Sequence, residues 1–299
     1  MKRPAYYPFK SAAAEKEYLS FYQATAVKLW PVPYVDVMVN TSYGATYVRV
    51  SGPQLAPPLV LLPGINASSL MWSPNVGAWS RQYRVYAVDL INDFGRSRDS
   101  RLIWHKTDFV NWLDELFTKL GLRKNINLIG MSYGGWLAVL YALAHQERLH
   151  KVAMLAPGAT VLKMDWQFLR RSVESALWGG KYSETLFNWL FQDGLKKGQD
   201  CALTMDDFGN FLYMGTKCFK KRFFVYLTVL SDNQWSNLQV PALFVVGEHE
   251  KLYNPHKALQ RLKKVAPQVK TCLIPGAGHD LTAVQAEMVN EQVLNFLQA

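Results

Sequence analysis

Short apolar runs alternate with longer helical patterns along most of this chain, and no other feature restricts its fold as sharply. YVDVMV, TYVRV, PLVLLP, YRVYAVDL, INLIGM, KVAMLAP, ALFVVG and KTCLIPG read as strands. Between them TDFVNWLDELFTKLG carries Phe109, Trp112, Leu113, Leu116 and Phe117 at helical spacing, and GGWLAVLYALAHQE is apolar nearly all round, as a buried helix is. Such alternation predicts an α/β domain: a mostly parallel eight-stranded sheet flanked by helices. The first two runs, joined by NTSYGA, predict an antiparallel hairpin at the sheet edge.

The alternation lapses once. Residues 161–238 hold aromatic-rich helical stretches such as MDWQFLRRSVESALW and SETLFNWLFQDGL and no convincing strand. Lying between KVAMLAP and ALFVVG, this segment reads as a helical cap inserted into the core. Residues 1–160 and 239–299 would then be the two parts of that core, with a helical extension over about residues 1–30.

The elbow-like stretch NLIGMSYGGW places Ser132 between Gly130 and Gly134. With glycine at about 7% of residues and serine similar, a Gly-x-Ser-x-Gly match arises by chance roughly one time in ten in a chain of this length. Context raises its weight, because the match follows an apolar strand and opens a helix. A serine in so tight a turn is strained, and the residues two before and two after it pass too close for a Cβ. The turn also sets the hydroxyl at a helix N-terminus, where negative charge is favoured.

On these residues the chain resembles the α/β-hydrolase family, in particular carboxylesterase-like serine hydrolases of bacterial type, from about Tyr34 to Ala299. The resemblance implies nucleophile, acid and histidine in that chain order, the acid after a late strand and the histidine after the last. His279, in GAGHDL past the final strand, matches the histidine; His105, His145 and His150 match no motif, and His249 and His256 flank the acid loop. An imidazole can take a proton near neutral pH and return it. For the acid, GEHE offers Glu248 and Glu250, and the family spacing falls on Glu250. Asp280, next to the histidine, reads instead as an acid at the start of a helix over 281–297.

By the same resemblance, the backbone N–H groups of Tyr133 and Ile65 would form an oxyanion hole, although Pro63-Gly64 stands where the family has histidine-glycine. Asp89, Asp93 and Gly95 would shape a turn. The expected reaction is hydrolysis of a carboxylic ester through an acyl-enzyme, with no metal and no other cofactor. The same constellation also serves carbon–carbon bond hydrolases, lactonases, amidases and perhydrolases, and a non-catalytic ligand-binding member of the fold is a further alternative. Cap aromatics Trp166, Phe168, Trp178, Trp189 and Phe191 point either to a small-molecule ester substrate with an apolar group or to packing of the cap on the core.

The remaining composition excludes more than it assigns. A formal net charge of +10 is spread along the chain, with only Lys220, Lys221 and Arg222 grouped, so no nucleic-acid partner is expected. Cys201, Cys218 and Cys272 are odd in number and scattered, as free thiols of a reducing compartment are. No apolar run is long enough to span a bilayer and the first residues do not form a secretory signal, so the expectation is a cytoplasmic protein without a membrane partner. A homodimer is left open.

Overall fold

The computed structural model describes residues 7–198, 203–221 and 224–299; Cys201 and Arg222 lie outside them. The strands are β1 (Tyr34–Thr41), β2 (Gly44–Ser51), β3 (Pro58–Leu62), β4 (Arg84–Val88), β5 (Arg98–Asp99), β6 (Ile126–Met131), β7 (Leu149–Leu155), β8 (Ala242–Gly247) and β9 (Lys270–Ile274). Eight of them follow the spatial order β1-β2-β4-β3-β6-β7-β8-β9. The ninth, β5, pairs antiparallel with β2 at Gly44 and Ala45. Two residues carry no periodicity, so this strand has no signature in the sequence.

β1 and β2 form the expected edge hairpin, β2 meets β4 antiparallel, and every pairing from β4 to β9 is parallel. The inner strands β3 and β8 read as unbroken apolar runs because both faces of the sheet are covered there, whereas β9 at the edge leaves Lys270 and Thr271 exposed. On β3, Val60 and Leu62 face one core layer while Leu59 and Leu61 face the other. On β8, Phe244 and Val246 are likewise opposed to Leu243 and Val245. Each such fully buried side chain contributes about 1.5–3 kcal/mol by leaving water.

The helices are α1 (Ala12–Leu29), α2 (Ser73–Trp79), α3 (Lys106–Lys119), α4 (Tyr133–Ala144), α5 (Trp166–Trp178), α6 (Gly180–Leu190), α7 (Gln192–Lys197), α8 (Met205–Cys218), α9 (Asp232–Ser236), α10 (Pro255–Val265), α11 (Leu281–Val284) and α12 (Ala286–Gln298). α3, α4 and α10 supply one layer, where Trp112 and Leu116 pack with Trp136, Phe244 and Leu262. α1, α2 and α12 supply the other, through Tyr18, Trp79, Val289 and Phe296. Ser11 caps α1 by accepting the Ala14 N–H, and Tyr18, Tyr22 and Ala26 form its buried stripe. Through Tyr18 and Phe21, α1 packs its rings on Phe211 of α8.

The single helix expected over 281–297 is broken. α11 ends at Val284 and α12 begins at Ala286. Lys197 of α7 donates to the Val284 carbonyl, an acceptor that a continuous helix would have used for the N–H four residues on. Cys218 is buried, Cys272 is half-buried, and both are free thiols. No helix among the described residues is long and apolar enough to cross a membrane.

Strand order turns back at β3, since β4 lies on one of its sides and β6 on the other. The chain leaving β3 goes on to β4 on one side and the chain leaving β6 goes on to β7 on the other, a switch point at the carboxyl ends of the strands of the kind where open α/β sheets bind ligands.

Candidate active site

Ser132 lies directly past β6 at the N-cap of α4, with φ 52° and ψ −112°. That is a costly conformation for a residue with a Cβ, of order 1–3 kcal/mol. Hydrogen bonds on both sides hold it: the Ser132 N–H donates to Leu155 O at 2.9 Å, and its carbonyl accepts from Trp136 N and Gly158 N. The tightness of the turn is measurable at its glycines. A Cβ on Gly130 would fall 2.0 Å from the Gly134 oxygen, and one on Gly134 would fall 2.2 Å from the Leu62 oxygen.

The loops after β9 and β8 bring the imidazole and the acid to this hydroxyl. His279 Nε2 lies 2.9 Å from Ser132 Oγ, and His279 Nδ1 lies 2.9 Å from Glu250 Oε2. The second carboxylate oxygen of Glu250 accepts the N–H groups of Lys251 and Leu252, both at 2.8 Å. With one oxygen fixed to main chain, the other is aimed at the ring. Relative exposures of 8% for Ser132, 5% for His279 and 6% for Glu250 place all three out of bulk solvent.

The two other acids near these loops have different partners. Glu248 turns away to accept the Gly276 N–H at 3.1 Å. Asp280 stands at the N-cap of α11, as expected, yet makes no cap hydrogen bond to that helix. Its carboxylate reaches Gly194 N of α7 at 2.7 Å and Gly278 N at 3.3 Å. Burial, with the Asp193 charge adding to it, raises the Asp280 carboxyl above the usual carboxylate range.

The loop after β3 abuts the serine, since a Cβ on Gly64 would lie 3.5 Å from the Ser132 Cβ. Among the described residues, neither the Ile65 nor the Tyr133 backbone N–H donates a hydrogen bond. Among the described residues no histidine braces this loop. Asp93 does so, accepting the Asn66 N–H on both oxygens at 3.1 and 3.0 Å, while Gly64 N–H points to Met71 Sδ at 3.2 Å. Asp93 is thus a supporting residue of the site as well as a turn former. Its sequence signal, an aspartate four residues after another past β4, does not say which loop it braces. Asp89, buried beneath the same turn, accepts from Ser69 N at 2.7 Å and Arg96 N at 2.8 Å, and burial raises its carboxyl.

The aromatics of residues 161–238 divide. The Phe191 ring lies 6.4 Å from the His279 ring and packs with Phe187 and Phe208. Phe168 is packed against the core. Trp189 lies beneath Arg171 and Lys251. Trp166 and Trp178 are 64% and 62% exposed, so neither side chain is enclosed by the fold. No residue of their helix α5 is buried. Among the described residues no group of three or more histidine, cysteine or acidic side chains is placed to hold a metal ion.

Known proteins share this arrangement of chain. A family model described as the alpha/beta hydrolase fold matches residues 57–283. An uncharacterized carboxylesterase, nap, of Bacillus subtilis (strain 168) is 34% identical over 290 residues, which is 94% of this chain and 93% of the relative. Carboxylesterase YbfK of the same organism is 33% identical over 293 residues, 95% of this chain and 96% of the relative. The crystal structure of naproxen esterase (carboxylesterase NP) from Bacillus subtilis is similar with a TM-score of 0.86 and 32% identity, covering 96% of this chain and 99% of that one.

Proposed function

The chain belongs to the α/β-hydrolase fold family and is an ester hydrolase of the carboxylesterase class, and from that premise we propose that Ser132, His279 and Glu250 carry its chemistry. The observation that supports this reading is the unbroken hydrogen-bonded line from Ser132 Oγ through His279 to Glu250.

In this scheme His279 Nε2 takes the Ser132 proton as Oγ attacks the ester carbonyl. Glu250 holds Nδ1–H in place and stabilises the imidazolium without taking its proton. The carbonyl oxygen becomes an oxyanion that accepts from the Ile65 and Tyr133 N–H groups, with the N-terminal end of α4 adding its dipole. Each donor contributes on the order of 3 kcal/mol to the transition state. The imidazolium then protonates the departing alcohol, leaving an acyl-Ser132 that water, activated by the same imidazole, releases as the acid. A serine at this elbow supports acyl transfer in place of the aspartate-based displacement that opens epoxides.

The cluster of Phe187, Phe191 and Phe208 beside His279 supports a substrate with an apolar acyl or alcohol group. Free Cys218 and Cys272 support a reducing, cytoplasmic setting.

A fluorophosphonate probe and a panel of p-nitrophenyl esters of increasing acyl length, alongside lactone and carbon–carbon substrates, test the scheme. Wild type is expected to label and to turn over esters, and Ser132→Ala to do neither. Labelling retained in Ser132→Ala, or lactone or carbon–carbon turnover exceeding that of every ester, would overturn it.

A further inference from the structure

We propose that Asp280 is a positioning residue that clamps the cap helix α7 to the turn carrying His279, so that seating of the cap and placement of the imidazole are one event. The proposal rests on the triad reading above and extends it into the cap.

Two adjacent residues of α7 grip two residues of the core, each next in sequence to a member of the triad. Gly194 N–H donates to Asp280 Oδ2 at 2.7 Å, and Asp280 follows His279. Asp193 Oδ2 lies 2.9 Å from His249 Nδ1, and His249 precedes Glu250. One turn of cap helix thus holds both catalytic loops. Asp280 ties the clamp to the imidazole's own backbone, because its other oxygen accepts Gly278 N–H at 3.3 Å, on the far side of His279. Lys197, one turn further along α7, adds its bond to the Val284 carbonyl.

The geometry leaves no slack. Asp280 and Asp193 are both buried, so each carboxylate depends on these partners in place of water. Gly194 fits against Asp280 only without a side chain, since a Cβ there would lie 2.9 Å from Asp280 Oδ2 and 2.8 Å from Met205 Sδ. Charges around the second grip are Lys196, 3.8 Å from Asp193, and Glu248, 3.9 Å from His249 Nε2. Phe191, which precedes this turn of α7, is the residue whose ring approaches His279. A cap displaced from Asp280 therefore withdraws the apolar wall of the site and frees the histidine turn together.

Asp280→Asn keeps the shape but can accept only one of the two N–H groups, and Gly194→Ala perturbs the same clamp from the cap side alone. Folded fractions are read by near-UV circular dichroism, and kcat and KM on p-nitrophenyl acetate are taken per folded molecule. Both variants are expected to lose at least tenfold in kcat with KM changed by less than about threefold, and the double variant to be no worse than the poorer single. An unchanged kcat in both overturns the proposal. A loss in Asp280→Asn alone, with Gly194→Ala unimpaired, also overturns it, because Asp280 would then act only within its own turn. If Asp280→Asn does not fold, His249→Phe removes the second grip at a half-exposed position: a several-fold fall in kcat supports the clamp and an unchanged kcat overturns it. A wild-type chain inactive on every ester would count against the triad reading, whereas an active wild type with unaffected variants counts against the clamp alone.

Discussion

Replacing Gly134 by alanine tests the steric argument on which the elbow rests. The new Cβ would lie 2.2 Å from the Leu62 oxygen and 2.5 Å from the Pro63 oxygen. Ordinary carbon–oxygen contacts begin near about 3.3 Å, so one partner must retreat by roughly 1 Å. Both obstacles are main chain at the end of β3, and no side chain can swing away to relieve them. The loop that moves is the one presenting the Ile65 N–H. Loss of one oxyanion donor, the role proposed for that N–H, costs about 10²–10³-fold in kcat, or about 2.7–4 kcal/mol. Overpacking adds about 1–3 kcal/mol of destabilisation, which at this chain length lowers Tm by several degrees. The assay is kcat on p-nitrophenyl acetate with Tm by differential scanning fluorimetry. Gly77→Ala serves as the control, since a Cβ there meets only Pro31 Cγ at 3.7 Å, and it is expected to leave kcat unchanged. Wild-type kcat and Tm in Gly134→Ala would refute the claim that this glycine is required by close approach.

Two further outcomes follow from the site. Glu250→Gln leaves His279 Nδ1 without its carboxylate and is expected to lower kcat by about 10³–10⁴-fold, whereas Glu248→Gln, whose partner is the Gly276 N–H, stays within threefold; similar losses in the two would reverse the choice of acid. For pH, burial raises the Asp89 carboxyl in the folded chain, so its contribution to stability is full below the ordinary carboxylate value of about 3.9 and is lost as pH rises through the raised one. The stability of wild type relative to Asp89→Asn, from urea titrations at stepped pH, is therefore expected to fall between pH 4 and neutrality; a rise over that interval would contradict the assignment.

Much of this molecule is decided locally. The inner strands β3 and β8 are contiguous apolar runs because both of their faces are covered, and the Gly130-x-Ser132-x-Gly134 turn is a steric requirement spanning five residues. Both were legible in the chain, as was the placement of Ser132 past β6 and of His279 past β9. Spacing singled out Glu250 over Glu248, and in the structure the two point apart from one tight loop, Glu250 to His279 and Glu248 to Gly276. β5 was invisible because two residues have no period. The break at Gln285 was invisible because the group that takes up the Val284 carbonyl there, Lys197, lies 87 residues upstream of Val284. Asp93 bracing the Ile65 loop and Asp280 reaching Gly194 belong to the same class. Hydrogen bonds between segments remote in sequence have no period and no fixed spacing, so they exist only once the sheet has set the distance between the loops, and it is the tertiary structure alone that selects which acid bonds to which amide.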